Sequence, residues 1–117
     1  MRNWNTLKER YLRDDIPVRL GNLASNLARI KSRCQSTVNQ ELVENLLKES
    51  EFFIEWTAPD TEIEVAAELV DLQITLARWQ YNWESIWNDN KLRSEVSQKA
   101  NLWSERLLNM SGLLTEN

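Results

Sequence analysis

Apolar residues recur along this chain at alternating steps of three and four, the period of one face of an α-helix. Leu20, Leu23, Leu27, Ile30 and Cys34 make one such stripe. With Asp14 and Asp15 as candidate N-caps and Pro17 suited to a first turn, they predict a helix over about 17–34. A short helix over about 6–12 precedes it. The polar run 35–40 reads as a turn, with Thr37 and Gln40 at capping-box spacing. A second long helix then carries Leu42, Val43, Leu46, Leu47, Phe53, Ile54 and Trp56 as far as about Thr57, where Pro59 stops it. Asp60 or Thr61 can cap the next.

The third long helix is expected over about 62–88, and it has two apolar stripes. Val65, Leu69, Leu72, Leu76, Trp79, Trp83 and Ile86 lie along one side. Ile63, Ala67, Val70, Ile74, Ala77 and Tyr81 lie nearly opposite, at about 100° per residue. After the turn cluster Asn88, Asp89 and Asn90, a last helix over about 91–110 carries Val96, Ala100, Trp103, Leu107 and Met110. Ser111, Gly112 and Leu113 read as its stop, with Gly112 left-handed and Leu113 folded back.

With two Gly, two Pro and no Asn-Gly or Asp-Gly hairpin signal, the expected fold is all-α. The expected architecture is an antiparallel four-helix bundle with a long third helix and a short N-terminal helical arm. Residues 1–117 read as one domain, in which 1–15 form the arm and 111–117 the C-terminal cap and tail. Packing one stripe of the third helix into the core leaves the other uncovered. A second subunit can cover it, or the arm bearing Trp4, Leu7 and Tyr11.

Composition narrows the chemistry. The chain has no His and one Cys, so imidazole-based catalysis, His-bearing zinc sites and an internal disulfide are all excluded. No glycine-rich phosphate loop is present. No catalytic, cofactor-binding or metal-binding residue is assigned, and a non-enzymatic protein is expected. No stretch approaches the length of apolar sequence that spans a membrane, and the first residues are polar, so a cytoplasmic protein without membrane contact is expected.

Charge is uneven. Residues 1–33 hold eight Lys or Arg against three acids, and residues 34–76 hold one against ten. Arg29, Lys31 and Arg33 form a small basic cluster, which makes nucleic-acid binding by the basic first long helix the alternative function. The net charge of −4 and the preference of helix C-termini for cations count against it. Glu64, Glu68 and Asp71 share one side of the third helix, an arrangement that fits a solvated acidic face far better than a cation site.

Three strings run through most of the chain: residues 20–30 (LGNLASNLARI), 53–59 (FIEWTAP), and 103–108 (WSERLL) with 110–114 (MSGLL). They resemble a small all-helical protein family of cyanobacteria. The resemblance implies a cyanobacterial origin and a cytoplasmic setting, and it transfers no functional residue. The leading expectation is an interaction or assembly protein that forms a homo-oligomer and meets an as yet unidentified protein partner. Trp79, Trp83 and Trp87 are its candidate anchors, because Trp is enriched at interface centres. Val70, Ile74, Ala77 and Tyr81 are its candidate self-association residues.

Overall fold

The computed structural model describes residues 3–112, and among them every regular element is helical. The elements are α1 (Trp4–Leu12), α2 (Ile16–Arg33), α3 (Gln40–Thr57), a 3-10 turn (Ala58–Asp60), α4 (Ile63–Tyr81), α5 (Trp83–Trp87) and α6 (Asn90–Ser111).

Local chemistry sets the boundaries. Asn3 caps α1 by accepting from the Thr6 amide at 3.1 Å, and Asp15 caps α2 with Pro17 in its first turn. Asp89 accepts from the amides of Lys91 and Leu92 at the start of α6. Gly112 closes α6 in the left-handed region at φ 76°, while Leu113 lies outside the described residues. Two expected caps do not form. Asn39 precedes α3 without a side-chain cap, so the Thr37–Gln40 box is absent. The Thr61 hydroxyl donates to the Ala58 carbonyl at 2.9 Å, closing the 3-10 turn instead of capping α4.

The expected long third helix is two helices. At Asn82 the backbone leaves helical geometry (φ −102°, ψ 17°), and its side-chain amide donates to the Arg78 carbonyl at 3.0 Å. Asn competes for nearby backbone groups more readily than most residues, which makes it a natural point of interruption. The break redirects α5, so that Trp83, Ile86 and Trp87 are all buried. Trp83 Nε1 donates to the Gln40 carbonyl at 3.4 Å, and the Trp83 and Trp87 rings lie 5.7 Å apart.

The closest helix pair is α2 with α6. Ser104 Oγ donates to the Ala24 carbonyl at 2.8 Å and Ser97 Oγ to the Lys31 carbonyl at 3.0 Å, so the two helices run antiparallel. Ala24 and Ala100 are buried between them, and small residues at this seam let the backbones approach closely. On its other side α2 packs against α3, which in turn packs against α4; α5 leans on α6. Contact between α4 and α6 is sparse by comparison, and a cleft separates them. Leu20, Leu23, Leu27, Ile30 and Cys34 are buried as their spacing predicts. Leu42 is not, remaining 41% exposed at the start of α3.

The arm docks on α3. Tyr11 stacks on Phe53 at 4.1 Å between ring centres, and Trp4 meets Phe52 at 4.6 Å. The Tyr11 hydroxyl donates to the Arg19 carbonyl at 3.0 Å, which leaves the Thr57 hydroxyl to donate to the Tyr11 oxygen at 2.7 Å. Burial pushes this phenol from its ordinary 10.0 up to about 12, against the opposing effects of the Thr57 bond and the nearby Arg19 charge. The folded state therefore holds the proton more tightly than the unfolded chain. The stability tied to this docking is intact below pH 10 and is lost as the pH climbs towards 12, by roughly 2–3 kcal/mol in all. Urea unfolding of the native chain and of Tyr11→Phe at pH 8 and pH 11 measures it: the pH-dependent loss should shrink in the phenylalanine variant, and equal losses would refute the assignment.

Candidate functional site

Helix α4 divides into two apolar faces with different fates. Leu69, Leu72 and Leu76 are fully buried and Trp79 nearly so. On the far side Ile63 is 79% exposed, Val70 and Ile74 are each 48% exposed, and Tyr81 is 90% exposed. Ala67 and Ala77 fill the intervening turns and are also exposed. At about 100° per residue these six positions span roughly 80° of the helix circumference. No charged residue falls inside that arc. Glu64, Asp71 and Arg78 line one border, and Ala66, Gln73 and Gln80 line the other.

The arm does not cover this face, because its aromatic residues are committed to α3 on the inner side of the fold. Among the described residues nothing else lies over it: a continuous apolar strip about 28 Å long faces water. Exposed apolar strips of this continuity are uncommon on monomers and mark association surfaces.

Trp79, Trp83 and Trp87, the candidate anchors, are 8%, 2% and 4% exposed and belong to the core. Their spacing is that of a buried stripe; beyond the break at Asn82, Trp83 reaches the Gln40 carbonyl at the start of α3 and Trp87 lies against Arg93 of α6. They cannot present a tryptophan face in this conformation. On α6 the exposed apolar residues that periodicity did not single out are Leu92 and Leu102, the latter 60% exposed. Both fall outside the stripe that packs the core, and isolated exposed leucines carry no sequence signal of their own.

A cleft of about 370 Å³ opens between α4, α5 and α6. Trp79, Ile86 and Val96 form its apolar floor, and Arg78, Glu95 and Lys99 stand on its rim. Thr75, Asn82, Ser85 and Leu92 complete its lining. Cys34 is buried, and burial pushes its thiol from 9.0 up to about 11 despite the nearby Arg93 guanidinium, which leaves it protonated and unreactive near neutral pH.

The charged clusters are engaged in structure. Arg29 donates to the side-chain oxygen of buried Asn26 at 2.7 Å, and the Asn26 amide donates to Glu49 at 3.2 Å. Arg19 reaches the Asp14 and Leu12 carbonyls and pairs with Asp60 at 2.9 Å. Arg33 is exposed and Lys31 half-buried on the last turn of α2, where cations oppose the negative end of the helix dipole. Of the three carboxylates on α4, Glu68 pairs with Arg106 of α6 at 3.1 Å, while Glu64 and Asp71 sit on the border of the apolar strip. Burial raises the carboxyl of Glu51, on the side of α3 facing Gln73 and Gln80, with Lys48 opposing the shift. Among the described residues no group of three acidic or thiol side chains converges as a metal site, and no helix is long and apolar enough to cross a membrane. The chain matches no protein-family model, and neither the curated proteins nor the solved structures include one significantly similar to it.

Proposed function

We propose that this chain is a non-enzymatic interaction or assembly protein that works as a homo-oligomer of antiparallel four-helix bundles, with the outer face of α4 as its contact surface. The observation that carries the reading is the charge-free strip of Ile63, Ala67, Val70, Ile74, Ala77 and Tyr81, left open by the chain's own arm. Its burial at about 25 cal/mol per Å² of apolar surface supplies the driving force for association. A protein partner belongs to the same reading, supported by the exposed apolar strip of α4, and a cytoplasmic setting is proposed with it.

Sedimentation equilibrium at tens of micromolar should give a mass above that of a single chain. Ile74→Glu puts a charge in the middle of the strip and should return the protein to monomer with its helical circular dichroism unchanged. A native chain that sediments as a monomer at these concentrations would overturn the proposal.

A further inference from the structure

Resting on that reading, we infer that α4 pairs antiparallel with α4 of a second copy, about a two-fold axis crossing the outer face of the helix at the level of Leu72. The strip is symmetric about that level. Its steps of four, three, four, three and four are the same from either end, so an antiparallel copy brings Ile63 opposite Tyr81, Ala67 opposite Ala77 and Val70 opposite Ile74. Each layer then sets large against large or small against small. The two alanine layers let the helix axes approach to the near end of the usual 8–10 Å range.

The borders of the strip choose the same orientation. In antiparallel pairs the same border of each helix faces its counterpart, so Glu64 meets Arg78 of the second copy at both ends of the contact. Asp71 meets Asp71 of the second copy at the axis. On the other border Ala66, Gln73 and Gln80 carry no charge of their own, with Lys48, Glu51 and Glu55 of α3 beside the two glutamines. Within one chain neither Glu64 nor Arg78 makes an ion pair among the described residues. A parallel pairing opposes each border to the other one, setting charged residues against Ala66, Gln73 and Gln80, and forms no ion pair between the two α4 helices. The antiparallel register is thus the one that satisfies both the layers and the charges, with a single like-charge contact at its centre. One helix face is smaller than the roughly 800 Å² per partner of a standard interface, so association in the micromolar range is expected.

Charge exchange and crosslinking in the full chain test the register. Glu64→Arg and Arg78→Glu should each weaken self-association about three- to tenfold, because each change disrupts two symmetric pairs. The double variant should return to the native affinity, and Asp71→Asn should tighten association. For crosslinking with a short bismaleimide, Asp71→Cys should join two identical chains. Ile63→Cys should not, since its copies lie about 27 Å apart at about 1.5 Å per residue, yet it should join efficiently to Tyr81→Cys in a mixture of the two variants. Self-crosslinking of Ile63→Cys, or a double charge variant no better than the singles while the native chain still associates, would overturn the antiparallel register and leave homo-oligomerisation standing. A native chain that never associates would overturn both.

Discussion

Leu72→Glu should unfold the domain, although Ile74→Glu, two residues further along the same helix, should leave it folded. Leu72 is fully buried among Leu69, Leu76 and the leucines of the core cluster. A glutamate there loses the transfer energy of the leucine, about 2–3 kcal/mol, and buries a carboxyl with no partner, which adds several kcal/mol more. Together these are comparable to the whole stability of a small domain, about 5–15 kcal/mol. Far-ultraviolet circular dichroism should show a loss of helix, or at the least a melting midpoint lowered by tens of degrees. Ile74 is 48% exposed, so the same charge meets water at no comparable cost. Equal thermal stability of the two variants would refute the distinction between an inner and an outer face of α4.

The second large effect is expected at Arg93. Its guanidinium, on a side chain only 9% exposed, donates to the Cys34 carbonyl at 3.0 Å, the Trp87 carbonyl at 2.7 Å and the Asn90 side chain at 2.7 Å. It also lies 5.6 Å from the centre of the Trp87 ring. One side chain therefore satisfies carbonyls at the C-terminal ends of both α2 and α5, groups that a helix cannot pair internally. Arg93→Ala removes the donors and strands those acceptors in the interior, at an expected cost of about 3–5 kcal/mol. Arg93→Lys keeps the charge but not the planar fork, and should recover only part of that loss. Urea unfolding of the two variants beside the native chain gives the comparison. A loss below about 1 kcal/mol for the alanine variant would mean that water serves these carbonyls as well as Arg93 does.

How much of this was legible beforehand differs from one element to the next. The helical class and the buried stripes of α2 and α6 follow from residue spacing, because a period near 3.6 is a local property of the backbone. The caps at Asp15 and Asp89 and the stop at Gly112 are local for the same reason. The outer strip of α4 was also legible, since a helix with two opposed apolar stripes cannot bury both against one core. The role of the tryptophans was not: i, i+4 spacing describes a core stripe and an interface stripe equally well, and only the positions of α3 and α6 decide between them. The break at Asn82 has no local signature, because one Asn costs a helix little in isolation.

By itself, then, the sequence determined the helical class, the approximate ends of α2, α3 and α6, the inner faces of α2 and α4, and the existence of an unmatched apolar strip on α4. It also excluded imidazole chemistry and an internal disulfide. The tertiary structure decided what depends on residues distant in the chain. It sent the arm to α3 rather than α4 through the Tyr11 stack on Phe53 and the bonds to Thr57 and Arg19. It also set Ser97 and Ser104 against the carbonyls of α2 and recruited Arg93 to Cys34. Periodicity records which side of a helix avoids water, but a hydrogen bond across dozens of residues depends on where two helices cross, and that crossing is set by the packing of the whole core.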